Sequence, residues 1–225
     1  MIPAYVVVRT NRKTIAIYIR NGQVVVRAPL KMPQADIDHF VTSKAAWINK
    51  HLANQVANAT KRELFELGYG SEVMLRGNQV AIVAKKGKKA GFDGQSFYMP
   101  PGLTPQQIKA ACVQVYKMVA KAYISSRVKV YAAQMGVMPT AVKINAAARR
   151  WGSCSAKKSL NFSWRLIMAC DDVADYVVVH ELAHIFEMNH SVKFWAQVAK
   201  FMPDYAGRED RLKALQQRLA SEDWG

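Results

Sequence analysis

The feature that constrains this chain most is an apolar stretch, Asp172–Met188, that carries His180, Glu181 and His184 in the pattern His-Glu-x-x-His. Residues four apart lie on one face of a helix, about one turn (~5.4 Å) from each other. The stretch therefore predicts a helix with two imidazoles side by side. Three consecutive valines, which are poor helix formers in water, indicate that this helix is buried. Polar side chains on a buried helix need hydrogen-bond partners or a metal.

Two imidazoles at this spacing can bind one Zn²⁺, with bonds of about 2.0–2.1 Å. Glu181 follows the first histidine, so its carboxylate can reach a water beside the metal without being a ligand. The simpler alternative is a core helix whose histidines are satisfied by their neighbours.

A third ligand requires the helix to end. On a continuous helix His190 would lie about 240° around the axis from His184, at ~100° per residue. Asn189 tolerates the left-handed conformation that ends helices, and Ser191 can cap a new helix. We therefore expect the chain to turn at Asn189 and His190 to be the third ligand. Glu187 is the competing ligand, and we assign it instead the role of orienting a ligand.

Composition indicates a globular protein of a reducing compartment. Just over half of the 225 residues are hydrophobic, and three well-separated cysteines suggest neither a disulfide framework nor a metal clip. No apolar run approaches the ~20 residues of a membrane span, and the N-terminus lacks a signal-peptide pattern. We expect a cytoplasmic protein without membrane contact. A net charge of +16 suggests an anionic partner such as nucleic acid or nucleotides.

The predicted fold class is α+β, with a boundary near Pro100-Pro-Gly102. Residues 1–100 are expected to form a β-rich module with one helix, Gln34 to about Leu52. It begins with a small antiparallel sheet over residues 4–28, whose second turn carries an Asn-Gly hairpin signal at Asn21. Two more strands are expected near 72–75 and 79–83. Residues 101–225 should form a mainly helical metal-binding domain, which opens with a helix from Thr104 to about Met135 that Gly136 ends.

A second informative stretch, Arg149–Arg165, predicts two strands around a turn at residues 156–158. Gly152 lies in the first of these strands and would let a ligand or backbone approach closely. Asp171 and Asp172 follow, and we expect them to cap the metal helix at its positive end.

The chain resembles the YgjP-like metallopeptidase family over nearly its whole length. The resemblance rests on four motifs: Arg150-Trp-Gly-Ser-Cys154, Asn161-x-x-Trp-Arg-Leu166, Asp175-Tyr-Val-Val-Val-His-Glu-Leu-x-His184, and Met188-Asn-His-Ser-x-x-Phe-Trp195 with Met202-Pro-Asp-Tyr205. It implies a zincin-like domain with His180, His184 and His190 as metal ligands and Glu181 as catalytic acid/base. The chain is more remotely similar to SprT-like proteases.

Two function classes follow, and both use Zn²⁺. The first is a metallopeptidase acting on a peptide or protein, with Glu181 as general base and the Trp151–Ser155 strand pairing with the substrate. The second is a nucleotide pyrophosphohydrolase acting on a nucleoside triphosphate such as UTP, a function assigned to some relatives of the family. It would use Arg150, Arg165 or nearby basic residues on phosphate oxygens. A third possibility is a SprT-like protease recruited to nucleic acid. It would be a peptidase of the first class whose basic surface binds the nucleic acid. A purely structural zinc would leave Glu181 without a task.

Several other residues are candidate substrate contacts, each with a structural alternative. Trp151 belongs to the core or to the site, and Asn161 and Arg165 hold substrate or brace the metal helix. Tyr205 is an oxyanion donor only if the C-terminal helix folds back over the metal. Cys154 is assigned to packing.

Overall fold

Strands dominate the first hundred residues and helices the rest, in a computed structural model that describes residues 3–20 and 22–225. The predicted α+β class is confirmed. The strands are β1 Tyr5–Thr10, β2 Ala16–Arg20, β3 Gln23–Pro29, β4 Glu72–Leu75, β5 Asn78–Ala84, β6 Gly91–Phe92, β7 Phe97–Met99, β8 Ala141–Asn145, β9 Gly152–Cys154 and β10 Ser159–Ser163. The helices are α1 Gln34–Ser43, α2 Ala45–Glu63, α3 Pro105–Met135, α4 Asp171–Ala183, α5 Val192–Phe201 and α6 Tyr205–Leu219, with a 3₁₀ helix at Trp164–Met168.

The contacts divide the chain into two compact units. The first is Met1–Phe65 with Leu219–Asp223 and Gly225, and the second is Glu66–Arg218 with Trp224. The boundary predicted near residue 100 falls inside the second unit, just after the strand β7. Among the described residues, no helix has the length and apolar character that crossing a membrane requires.

The first unit is a three-stranded sheet in the order β1-β3-β2, backed by α1 and α2. β2 and β3 are antiparallel as predicted, but β1 pairs with β3 in parallel, so the sheet is mixed. The reason is that β3, whose Val24, Val26 and Ala28 are fully buried, takes the central position. The hairpin signal at Asn21 lies outside the described residues.

One predicted helix of this unit is two helices. The chain breaks at Lys44, whose φ of −106° and ψ of 5° interrupt the helix between α1 and α2. α2 then continues to Glu63, well beyond the predicted end at Leu52. Ile37 and Val41 of α1 and Ile48 of α2 pack on β3 in the core of the unit.

The second unit is organised around α3, the long helix that the sequence predicts. The Thr104 side chain accepts a hydrogen bond from the Gln107 N–H, and the Gln107 side chain accepts one from the Thr104 N–H. Together the two bonds form a capping box. Gly136 ends the helix in the left-handed conformation, at φ 67°. α3 packs on α4 and on the 3₁₀ helix.

Two sheets complete this unit. One has the order β4-β5-β7-β6, in which β4 and β5 are the strands predicted near residues 72–83. The other has the order β8-β10-β9, with β9 and β10 antiparallel around the turn predicted at residues 156–158. β9 is one of the two edge strands of its sheet and lies beside α4. This places an open strand edge next to the helix that carries His180 and His184.

Candidate metal centre

The helix α4 is buried along most of its length, as its valines predict. Every residue from Val173 to Val179 is buried. At its N-terminus the cap position is occupied by Cys170, without a side-chain cap bond, so Asp171 and Asp172 do not cap the helix as predicted. They lie instead in its first turn, where two carboxylates still interact favourably with the positive end of the helix dipole.

The helix ends earlier than the sequence suggests. α4 stops at Ala183, and the next turn is closed by short-range bonds from the N–H groups of Ile185 and Phe186. The predicted left-handed turn at Asn189 is wrong, because Asn189 is not among the residues with positive φ. The helix ends in a tight turn over residues 184–186, and the chain bends again at Met188 and Asn189. The second helix does begin where predicted, with Ser191 as its cap.

This turn brings three imidazoles together. One ring nitrogen each of His180, His184 and His190 lie within 4.8 Å of one another. The Nε2 atoms of His180 and His190 are 3.1 Å apart. Two nitrogen ligands of one tetrahedral zinc would be separated by about 3.3 Å, given bonds of 2.0–2.1 Å. The described residues contain no other cluster of this kind, and Glu187 is not part of it.

The main chain orients one of the three rings. Nδ1 of His184 lies 3.1 Å from the carbonyl oxygen of Glu187, which leaves Nε2 free to face the other two histidines. The contact uses the main chain of Glu187. The carboxylate of Glu187 accepts a hydrogen bond from Asn189 instead. Glu187 thus contacts the His184 ring through its backbone carbonyl.

Two of the histidines, His180 and His184, are held in the neutral form that binds metals. Burial, with smaller contributions from the neighbouring His184 and His190, lowers the pKa of His180 to about 3. Burial also lowers the pKa of His184. Imidazoles whose ring nitrogens cluster, with no carboxylate among them, have the chemistry of a divalent metal site.

Glu181 is the second unusual group of the site. It is 5% exposed, and its Oε2 has no hydrogen-bond partner. Burial raises the pKa of Glu181 to about 8, while the charge of Arg150 opposes this rise. A buried carboxyl oxygen without a partner is costly, so its presence points to a partner that the protein chain does not supply.

Gly152 makes room for this carboxyl group. A Cβ atom at position 152 would lie 2.6 Å from both Cγ and Oε1 of Glu181, closer than any real contact. The close approach predicted for Gly152 is therefore made by the side chain of Glu181. Since β9 carries Gly152, the edge strand and the helix α4 meet at this residue.

Aromatic rings enclose the histidines on one side. Phe194 and Trp195 of α5 contact His180 and His190, with ring centroids 4.8–5.8 Å apart. The ring of Tyr205 stacks on Trp195 at 5.0 Å. Tyr205 thus lies one ring away from the histidines, at the start of α6. Its role as an oxyanion donor stays a prediction.

The remaining candidates occupy different surroundings. Trp151 lines a cavity of about 490 Å³ next to His180 and Glu181, and Arg150 is exposed near Glu181. Arg165 is buried, donates to the Ala146 carbonyl at 2.9 Å and packs over Trp164, so its predicted role at the substrate or the metal helix stays a prediction. Asn161 faces the side of its sheet opposite to Gly152, because side chains alternate along a strand and Gly152 pairs with Phe162.

Sequence analysis missed two groups of residues around the site. Leu212 and Gln216 of α6 line the 490 Å³ cavity, although no motif marks them. The guanidinium of Arg127 in α3 donates two hydrogen bonds, of 2.6 and 2.7 Å, to the Asp175 carboxylate of α4. Tyr131, one turn further along α3, donates a third to Asp175 at 3.0 Å. The spacing of Arg127 and Tyr131 on a helix was the only available signal.

Comparisons with known proteins agree with this geometry. The family described as YgjP-like, metallopeptidase domain, matches residues 13–215. No curated protein matches the chain.

Two solved structures are similar to part of the chain. One is the metallopeptidase zymogen of Pyrococcus abyssi abylysin, at 22% identity and a TM-score of 0.38, covering 40% of this chain and 92% of that one. The other is the metallopeptidase zymogen of Methanocaldococcus jannaschii jannalysin, at 22% identity and a TM-score of 0.37, covering 42% and 96%. Scores of this size do not by themselves establish a common fold.

Proposed function

Because the chain belongs to the YgjP-like metallopeptidase family, we propose that it is a zinc-dependent peptidase in which Glu181 is the general base. His180, His184 and His190 are the proposed metal ligands. The observation that carries the proposal is the convergence of three imidazoles beside a buried carboxyl oxygen that has no partner. When bound, zinc polarises the scissile carbonyl as a Lewis acid and lowers the pKa of water to about 7.

Glu181 supplies the proton transfers of this reaction. Its free Oε2 accepts a proton from the attacking water and later delivers that proton to the leaving amine. Burial raises the pKa of Glu181 to about 8 although the charge of Arg150 opposes the rise, so the carboxyl group can both accept and release a proton near neutral pH. Gly152 fixes the position of the carboxyl group, because no other residue leaves space for it.

The edge strand β9 provides a place for the substrate backbone. Trp151 and Ser155 make main-chain hydrogen bonds to β10 on one side. Main-chain groups alternate in direction along an antiparallel strand, so the N–H and C=O groups of Gly152 and Cys154 point to the open side. An extended peptide can pair with them as an added strand. This backbone recognition would place a peptide bond beside Glu181.

The cavity of about 490 Å³ provides a place for a substrate side chain. Trp151, Tyr176, Val177 and Leu212 give it mainly apolar walls, and it opens beside His180 and Glu181. The charged residues that line it, Glu209 and Lys213, are paired with each other at 3.0 Å. We therefore infer a preference for a large apolar side chain next to the cleaved bond.

The ligands are tested by the metal content of purified variants. His180→Ala and His184→Ala should each lose stoichiometric zinc, since the two remaining imidazoles bind weakly. His190→Ala should lose far more zinc than Glu187→Ala, because the Glu187 side chain is not part of the cluster. Full zinc in His180→Ala by elemental analysis would contradict the proposed site. A greater loss of zinc in Glu187→Ala than in His190→Ala would make Glu187 the third ligand.

The role of Glu181 is tested with Glu181→Gln, which has nearly the same shape. The variant should keep its zinc and its fold, while turnover of a peptide library falls by about 10²–10⁴-fold, as is typical when a general base is lost. Nucleoside triphosphates assayed in parallel separate the two function classes. Hydrolysis of these alone, with peptides untouched, would replace the peptidase by the nucleotide hydrolase. Full activity of the variant would leave a structural zinc.

A further inference from the structure

The sheet of the first unit has one face that is not covered by its own helices. Val24, Val26 and Ala28 of β3 point inward and are buried against α1 and α2. The alternate residues point to the other face. Its members are Val6 and Val8 of β1, Ala16, Tyr18 and Arg20 of β2, and Val25 and Arg27 of β3. We refer to these seven residues as the outer sheet face.

An aromatic ring lies on this face between two guanidinium groups. Tyr18 and Val6 both lie opposite Val25, so Tyr18 belongs to a row that crosses all three strands. The guanidinium of Arg27 lies 5.2 Å from the ring centroid of Tyr18, and that of Arg20 lies 5.8 Å from it. Tyr18 is 36% exposed and Val6 56%. The face thus offers an accessible ring and apolar surface with positive charge on both sides.

The charge around the outer sheet face has one sign. Residues 1–35, which include all three strands, contain six lysines and arginines and no aspartate or glutamate. In the strands themselves, Arg20 and Arg27 are exposed. No acidic side chain of the sheet competes for them. A ligand for this face must therefore be anionic, and must also present flat apolar groups to Tyr18.

We propose that the outer sheet face binds single-stranded nucleic acid, with an unpaired base stacked at Tyr18 and phosphates at Arg20 and Arg27. Single strands combine these two chemistries, because every base has a π-face and every linkage a charge. A duplex hides its base faces, and an acidic peptide offers the charge without the flat ring. The binding surface belongs to the first unit, and the proposal does not depend on the metal site of the second.

The test is fluorescence anisotropy of the full chain with an end-labelled single-stranded oligonucleotide. Tyr18→Ala should weaken binding roughly 5- to 100-fold, as expected for the loss of one stacked base, whereas Tyr18→Phe should retain it. Replacing Arg20 and Arg27 together by alanine should lower the slope of log affinity against log salt by roughly 1.4, for two phosphate contacts on a single strand. Circular dichroism checks that each variant is folded.

A matched pair of charges elsewhere serves as the control. Lys86 and Lys88 are exposed in the loop after β5, and their double replacement by alanine removes the same charge. This control should keep most of the affinity. The proposal is overturned if the control loses as much affinity as the arginine variant, if Tyr18→Ala binds like the wild type, or if polyglutamate binds as tightly as the oligonucleotide with the same dependence on Tyr18.

Discussion

Glu181 depends on a residue in another element for its conformation. Its carboxyl group lies against the backbone of Gly152, where a Cβ atom would come within 2.6 Å of it. Because Gly152 has no positive φ, the glycine is required by space and not by backbone conformation. A single hydrogen at position 152 therefore keeps the proposed base in place.

Replacing this hydrogen by a methyl group should displace Glu181. We expect Gly152→Ala to retain zinc, since the three histidines are not touched, but to lose peptide hydrolysis about as severely as Glu181→Gln. Overpacking should also cost about 1–3 kcal/mol of stability. Zinc analysis, peptide turnover and urea unfolding measure the three effects. The matched control is Gly207→Ala in α6, where a Cβ meets nothing within 4 Å and should be harmless. Normal turnover in Gly152→Ala would contradict the assigned position of Glu181.

Ion pairs connect the first five residues of α4 to neighbouring elements. Arg127 and Tyr131 of α3 hold Asp175, whose side chain is only 10% exposed. At the N-terminus, Arg76 makes two hydrogen bonds to Asp171. These contacts fix the end of the helix that is remote from the histidines, and so contribute to the position of the metal ligands.

The buried pair predicts a large effect from removing one partner. Arg127→Ala leaves the Asp175 carboxylate buried without its cationic partner while Tyr131 still donates to it, so we expect a loss of about 3 kcal/mol in the free energy of unfolding. The double variant Arg127→Met, Asp175→Leu should recover much of it, since no charge is then left unpaired. Urea denaturation of the two variants decides the matter. Equal stability of Arg127→Ala and wild type would show that the pair contributes little.

The exposed pair predicts a pH dependence. The hydrogen bonds from Arg76 hold the pKa of Asp171 below its ordinary value. A lowered carboxyl pKa stabilises the fold above the ordinary value, near 4, and this contribution is lost as the pH falls through the folded-state pKa. Wild type should therefore exceed Asp171→Asn in stability at pH 6, by at most about 1 kcal/mol for an exposed pair. The difference should shrink toward pH 3, and a difference that grows instead would reverse the assignment.

For the whole molecule, the proposed metal site predicts a stability that depends on the zinc concentration. A ligand that binds only the folded state stabilises it by about 4.1 kcal/mol at a thousand times its dissociation constant. Adding zinc to chelator-treated protein should therefore raise the melting temperature. The His180→Ala variant should show no such rise. A melting temperature that chelation and zinc leave unchanged would argue against a site formed by the folded chain.

Much of the fold follows from local signals in the sequence. The capping box at Thr104 and the left-handed Gly136 define both ends of α3, because each acts on its nearest backbone groups. The valines of α4 predict its burial, and Ser191 predicts the start of α5. The pattern of His180, Glu181 and His184 predicts the helix face on which these residues lie, since helix geometry alone sets that spacing.

Other features depended on contacts between distant residues. β1 pairs with β3 because β3 is the most buried strand of the sheet. The residues of one strand do not show how its burial compares with that of the others. The chain turns at residues 184–186 and bends again at Asn189 without the predicted left-handed conformation, so the local geometry that brings His190 near His180 and His184 differs from the prediction.

The sequence by itself determined the candidate metal ligands, the proposed base and the family, because residue type and short spacing carry that chemistry. Tertiary structure alone showed that Gly152 accommodates the Glu181 side chain, that Glu187 orients His184 through its carbonyl, and that Arg165 is enclosed by the fold. It also placed Tyr18 between two arginines from different strands. The physical reason is common to all four. Each is a matter of space or direction between groups of the folded chain, and all but the contact of Glu187 with His184 join different segments.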